Sequence, residues 1–159
     1  MKYSDDFFDV NENKVSASVL GVVCAVASAL ASLYSVEAAY IFSSILIGNF
    51  LVLKVDGIHH IIALILFIVI ILIGGIPDMN LVILLICILG IISDEVGHEL
   101  ISKYTQNKFL NFFFEYRFVM KIVVLLLAAC GVFSIWIFVC FMLFELSYVA
   151  AGMLFESLN

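Results

Sequence analysis

The chain has 159 residues, of which 65% are hydrophobic, and its mean hydropathy is +1.26. Soluble domains are roughly 45–50% apolar, so this composition excludes a water-soluble globular protein. The formal net charge of −6 excludes the basic surface that a nucleic-acid-binding protein needs. The apolar runs do not alternate with polar residues, and we therefore predict an all-α, polytopic transmembrane helix bundle.

The first segment, residues 1–14, is polar and acidic, with the sequence MKYSDDFFDVNENK. Acidic side chains such as Asp5 and Asp6 stand where a signal peptide carries positive charge, so we predict a short acidic cytoplasmic tail. Residues 15–159 then form a single transmembrane helical domain. A spanning helix needs about 20 apolar residues, which predicts about five spans. The predicted spans are Val15–Val36, Ala38–Val55, Ile58–Ile76, Met79–Ser102 and Phe118–Tyr148.

The last apolar segment is long for one helix and short for two. If the chain folds back near Gly131–Trp136, the number of spans becomes six. In either case one face receives all seven basic residues, and lysine and arginine in short loops mark the cytoplasmic side. We expect a multi-pass protein of a prokaryotic plasma membrane with a cytoplasmic N-terminus. The basic residues are Lys2, Lys14, Lys54, Lys103, Lys108, Arg117 and Lys121.

The first span carries small residues at four-residue spacing, at Ala17, Gly21, Ala25 and Ala29. Such a small-residue stripe lets a neighbouring helix approach closely. The neighbour is either another helix of the same chain or a second copy, so a homo-oligomer through this face is possible.

Titratable residues gather at the start of the third predicted span, where Asp56, His59 and His60 share one helical face. The fourth span ends in a second set, which comprises Asp94, Glu95, His98 and Glu99. An antiparallel hairpin of the two spans, closed at Pro77 and Asp78, places both sets about 25 Å from the turn. The sequence therefore predicts a layer of histidines and carboxylates at the cytoplasmic end of the bundle.

This layer has three interpretations. Histidine with carboxylate and no thiolate suits a divalent metal ion such as Zn, Mn or Fe. The candidate ligands are His60, Asp94 and His98, followed by Asp56 and Glu95; His59 is a weaker candidate. Glu99, together with Glu95, is the candidate catalytic base for a metal-held water. Alternatively, the same charges mark a helix end in contact with water and headgroups, or they relay protons or cations.

Between the fourth and fifth spans, residues 103–117 form a polar but strongly aromatic connection. Its phenylalanines predict an interfacial amphipathic segment on the same side as the histidine layer. Arg117 at its end is expected to reach a carboxylate or a lipid phosphate.

The segments VDGIHHIIAL and GGIPDMN resemble the small LexA-binding inner-membrane type of membrane metal-dependent hydrolases. On that resemblance, His60 matches a histidine near a helix start, and Pro77-Asp78 matches an aspartate turn. Asn80 stands where that family has a second aspartate, and DEVGHE replaces its second histidine-rich segment. The resemblance implies a metal-dependent hydrolase acting at the membrane surface. A cation or proton transporter component and a non-catalytic membrane subunit are the alternatives.

Overall fold

The computed structural model describes residues 14–55, 57–104 and 107–158, and in these ranges it contains helices joined by short turns and no strand. The acidic tail predicted at residues 1–14 lies almost wholly outside the described residues, as does Asp56. Seven helices follow one another along this part of the chain. They are α1 (Lys14–Tyr34), α2 (Val36–Leu51), α3 (Ile58–Gly74), α4 (Leu81–Tyr104), α5 (Lys108–Glu115), α6 (Phe118–Ala129) and α7 (Ile135–Leu158).

The apolar runs form helices although many of their residues are β-branched, because a helix pairs every backbone amide within its own segment. Three helices are long and apolar enough to cross a membrane, at Val15–Tyr34, Leu81–Ile101 and Ile135–Leu154. Three further apolar helices are shorter: α2, α3 and α6. The predicted all-α membrane class is confirmed to that extent.

The prediction of one continuous helix from Phe118 to Tyr148 is wrong. α6 ends at Ala129, and the chain turns through Gly131, whose φ of +73° favours glycine, before α7 begins at Ile135. The Glu37 carboxylate accepts hydrogen bonds from the backbone N–H (2.7 Å) and the hydroxyl (2.8 Å) of Ser134. The start of α2 thus holds this turn, and the alternative in which the segment folds back is the one that forms.

The helices pack in a different order from the predicted one. α3 lies mainly against α1, whereas α4 lies against α2 and α6. The expected α3–α4 hairpin is therefore not an extensively packed pair. The small-residue stripe of α1 is the physical reason, since Gly21 comes so close to α3 that a Cβ there would lie 3.1 Å from the His59 carbonyl oxygen. The stripe is buried within the chain and needs no second copy to cover it.

The hydrophobic core lies among α2, α4, α6 and α7, and the α1–α3 pair flanks it. Fully buried Val124 and Cys87 lie at its centre. α2 and α4 approach closely at Gly48, where a Cβ would lie 2.5 Å from the Ile91 side chain. At the end of the bundle that contains Glu37, the Tyr40 hydroxyl accepts a hydrogen bond from the backbone N–H of Asn80.

The aromatic connection forms a short amphipathic helix, α5, which packs mainly against α4. Gly97 of α4 makes room for the Phe114 ring, while Phe109 and Phe112 are exposed. The helix is amphipathic as expected, and its position at the membrane interface stays a prediction.

Candidate functional site

A cavity of about 420 Å³ lies at the end of the bundle where α2 ends and α3 begins. Its apolar wall comes from α1, α2, α3 and α7, and includes Phe42, Leu64 and Phe67. From His60 to Phe67 it extends along two turns of α3, or roughly 10 Å. Its volume lies within the roughly 300–1,000 Å³ of ordinary small-molecule sites. Charged side chains complete its lining: Lys54, Glu95, Arg117 and Glu145.

Glu95 is the centre of the charged part of the cavity. Its Oε2 lies 2.5 Å from Lys54 Nζ, and its Oε1 lies 2.8 Å from Arg117 Nη2. The Glu95 side chain is only 3% exposed, and the two basic side chains are each 36% exposed. A buried carboxylate needs paired charges to offset its desolvation, and Glu95 has two. The expectation that Arg117 reaches a carboxylate agrees with this geometry.

Asp94 has a different role from the predicted metal ligand. Its Oδ1 accepts from the Val119 N–H at 2.9 Å, and its Oδ2 accepts from the Met120 N–H at 2.7 Å. These amides belong to the first turn of α6, whose N–H groups have no partner within their own helix. Both oxygens of Asp94 therefore cap α6 from the neighbouring helix, and the residue is 1% exposed.

A second ion pair joins α6 to α7, with Lys121 Nζ 3.0 Å from Glu145 Oε2. Both side chains are largely buried. The sequence analysis did not identify Lys54, Lys121, Glu145 or Tyr148 as site residues. The Arg117 guanidinium lies 5.3 Å from the centre of the Tyr148 ring, which places α7 against the same cluster.

Two residues with positive φ carry the basic groups into the site. Arg117 has φ +50°, and Leu53, directly before Lys54, has φ +58°. They are the non-glycine residues with positive φ in the described ranges, and such conformations are disfavoured for L-residues. Burial disfavours the charged form of Arg117, but Glu95 and the neighbouring Tyr148, Glu145 and Asp94 outweigh it and raise the pKa of the guanidinium.

The histidines are dispersed. His60 lines the cavity, and His59 is 2% exposed, with its ring centre 4.3 Å from that of His60. His98 lies in a smaller cavity of about 220 Å³ between α4 and α5, where its Nδ1 is 3.8 Å from Glu115 Oε2. Glu99, the candidate base, is exposed. The structure thus places His60 and His98 in different cavities.

The predicted metal-ligand set is not assembled. Among the described residues, no group of three or more His, Cys, Asp or Glu side chains could hold a metal ion. Asp94 bonds the amides of α6, Glu95 is paired with Lys54 and Arg117, and Asp56 lies outside the described residues. The physical reason is the packing order, because α3 and α4 each pack mainly against other helices.

Comparison with known proteins adds no relative, since no family model matches the chain and no significant match appears among curated proteins or solved structures.

Proposed function

We propose that this chain is a multi-pass membrane protein that binds an amphiphilic molecule from the bilayer in the cavity beside Glu95. The observation that carries the proposal is the composition of this cavity. One wall is made of aliphatic and aromatic side chains, and the Lys54–Glu95–Arg117 ion pairs are part of the same lining. Ligand sites are typically apolar with a few polar groups that fix orientation.

The proposal includes a topology of six helical segments, with α5 at the interface. In support, the contacts Glu37–Ser134 and Tyr40–Asn80 join the start of α2 to the α6–α7 turn and to the residue before α4, so these three places lie at one end of the bundle. The pairs Lys54–Glu95 and Lys121–Glu145 lie towards the other end, which receives the basic residues. By the positive-inside rule this is the cytoplasmic end, and the start of α1 and the end of α7 lie there.

Hydrolysis of the ligand is not part of the proposal. A metal-dependent hydrolase needs several metal-ligating side chains close together, and among the described residues no such group of three or more is present. Buried charged residues in a membrane protein also mark substrate pathways, which is consistent with a binding or carrier role.

A matched pair of substitutions on α3 tests the binding proposal. Leu64 lines the cavity, and its neighbour Ile65 is exposed on the outside of the bundle. Leu64→Trp is expected to fill the cavity and reduce cross-linking of a photoreactive neutral diacylglycerol in nanodiscs, whereas Ile65→Trp is expected to leave it unchanged. Equal cross-linking in both variants, mapped by mass spectrometry to the outer helix surface, would contradict the proposal.

Cation or proton translocation is a second candidate. It is favoured by one observation, that Glu95 and Glu145 line the same cavity and each has a basic partner. Proton flux in liposomes that disappears in Glu145→Gln would support this candidate, and flux equal to that of empty liposomes would eliminate it.

A further inference from the structure

We propose that the amphiphile bound in this cavity has an anionic headgroup, a phosphate or carboxylate, which Lys54 and Arg117 hold in exchange with Glu95. This inference rests on the proposed binding function and adds the chemical class of the ligand.

Among the described side chains, the Lys54–Glu95–Arg117 group carries two positive charges and one negative charge. Lys54 and Arg117 share the single carboxylate of Glu95. Lys121 and Glu145 neutralise each other. Asp94 adds a negative charge near Arg117, but its oxygens bond the amides at the N-terminus of α6, where the helix dipole, equivalent to roughly +0.5 charge, offsets about half of it. The site therefore keeps a partial excess of positive charge, smaller than one full charge.

The exposure of these side chains decides which of them meets a ligand. About a third of the side-chain surface of Lys54 and of Arg117 is exposed, whereas the Glu95 side chain is almost fully buried. An incoming group therefore meets the basic side chains first. Arginine has five N–H donors in a planar fork that suits phosphate and carboxylate oxygens, and lysine has three donors. The bonds to Glu95 use only part of this capacity.

The backbone holds both basic residues in place. The two non-glycine residues with positive φ in the described ranges are Leu53, which directly precedes Lys54, and Arg117 itself. Disfavoured backbone conformations persist only where surrounding contacts fix them, and they are frequent at ligand-binding positions. Asp94 provides such a contact, since it binds the second and third amides after Arg117. We assign Asp94 as a positioning residue for Arg117.

The apolar wall of the cavity favours an amphiphile over a free anion as the ligand. Ala63, Leu64 and Phe67 continue the cavity away from the ion pairs, and these three side chains offer an inorganic anion no polar partner. An acyl or prenyl chain would bury apolar surface there at roughly 25 cal/mol per Å². The site thus suits a charged head and an apolar chain together.

The test uses the full chain in phosphatidylcholine nanodiscs with a trace of photoreactive lipid. Phosphatidic acid and phosphatidylcholine probes with identical chains are compared, and the ratio of their cross-linking yields is measured. We expect the anionic probe to be preferred. Lys54→Gln should reduce the preference roughly tenfold, since bonds to a charged group contribute about 1.5 kcal/mol or more. Lys108→Gln, on exposed α5, is the control and should leave the ratio unchanged.

Glu95→Gln should change the ratio of cross-linking yields in the opposite direction to Lys54→Gln. This distinguishes a carboxylate that exchanges with the ligand from one that forms only a structural ion pair. Removal of the competing carboxylate should strengthen the preference for the anionic probe. A ratio that Lys54→Gln and Glu95→Gln both leave unchanged would overturn the inference while leaving amphiphile binding intact. Absence of cross-linking to either probe would instead defeat the proposed function. Complete displacement by inorganic phosphate alone would show a simple anion site and would also overturn the inference.

Discussion

Replacement of Asp94 is the most direct test of the structure, because a capping residue and a metal ligand predict different results. Asp94→Ala removes the bonds to the Val119 and Met120 amides and leaves both donors without their acceptor. A hydrogen bond to a charged group contributes about 1.5–3 kcal/mol. Two such bonds give a loss of about 3–6 kcal/mol in the free energy of unfolding. Asp94→Asn keeps one acceptor oxygen and should lose about half as much.

These losses convert into measurable melting temperatures. For a chain of this size, 1 kcal/mol shifts the midpoint by roughly 2–4 °C, so a loss of about 3–6 kcal/mol should make Asp94→Ala melt roughly 6–24 °C below the parent. Cys87 is fully buried and reports unfolding through its reaction with a thiol-reactive dye. The parent chain for this assay carries serine at Cys24, Cys130 and Cys140.

The control is Glu99→Ala, which removes an exposed carboxylate from the same helix. It should leave the midpoint within about 1–2 °C, as surface substitutions usually change stability by less than 0.5 kcal/mol. Equal midpoints for Asp94→Ala and Glu99→Ala would refute the capping role. Loss of stoichiometric metal from Asp94→Asn, without a change in midpoint, would restore the metal-ligand interpretation.

Three further predictions concern the fold. Glu37→Ala removes both bonds to Ser134 and should destabilise the α6–α7 turn by about 0.5–2 kcal/mol in the same assay, whereas an unchanged midpoint would contradict that role. Gly48→Ala should reduce the free energy of unfolding by about 1–3 kcal/mol, because its Cβ would overlap the Ile91 side chain. Gly90→Ala is the control, since the nearest atom to its Cβ lies 3.3 Å away. An effect of Gly48→Ala no larger than that of the control would show that α2 and α4 are less tightly packed. Tags at the two termini should be accessible from the same side of inverted vesicles, and opposite accessibility would contradict the six-segment topology.

The predicted layer of histidines and carboxylates shows which part of the site the sequence could not predict. Residues at equal distance from a turn lie at the same level only if the two helices pack together as a hairpin. The prediction assumed this for α3 and α4, which are not extensively packed together. Applied to the α6–α7 turn, the same argument brings Lys121 and Glu145 to one level, each about 15 Å from the turn. That pair forms, with the atoms 3.0 Å apart. Gly131 was the available signal, because a helix rarely continues through a glycine with positive φ.

The sequence by itself determined that the chain is helical and apolar enough to enter a membrane, because these properties depend on composition and on backbone hydrogen bonding within each segment. Only the tertiary structure decided that Asp94 caps α6 and that Lys54 and Arg117 share Glu95. Apolar helices all present similar surfaces, so their packing order depends on close contacts such as Gly21 with His59, and this order decides which charges meet.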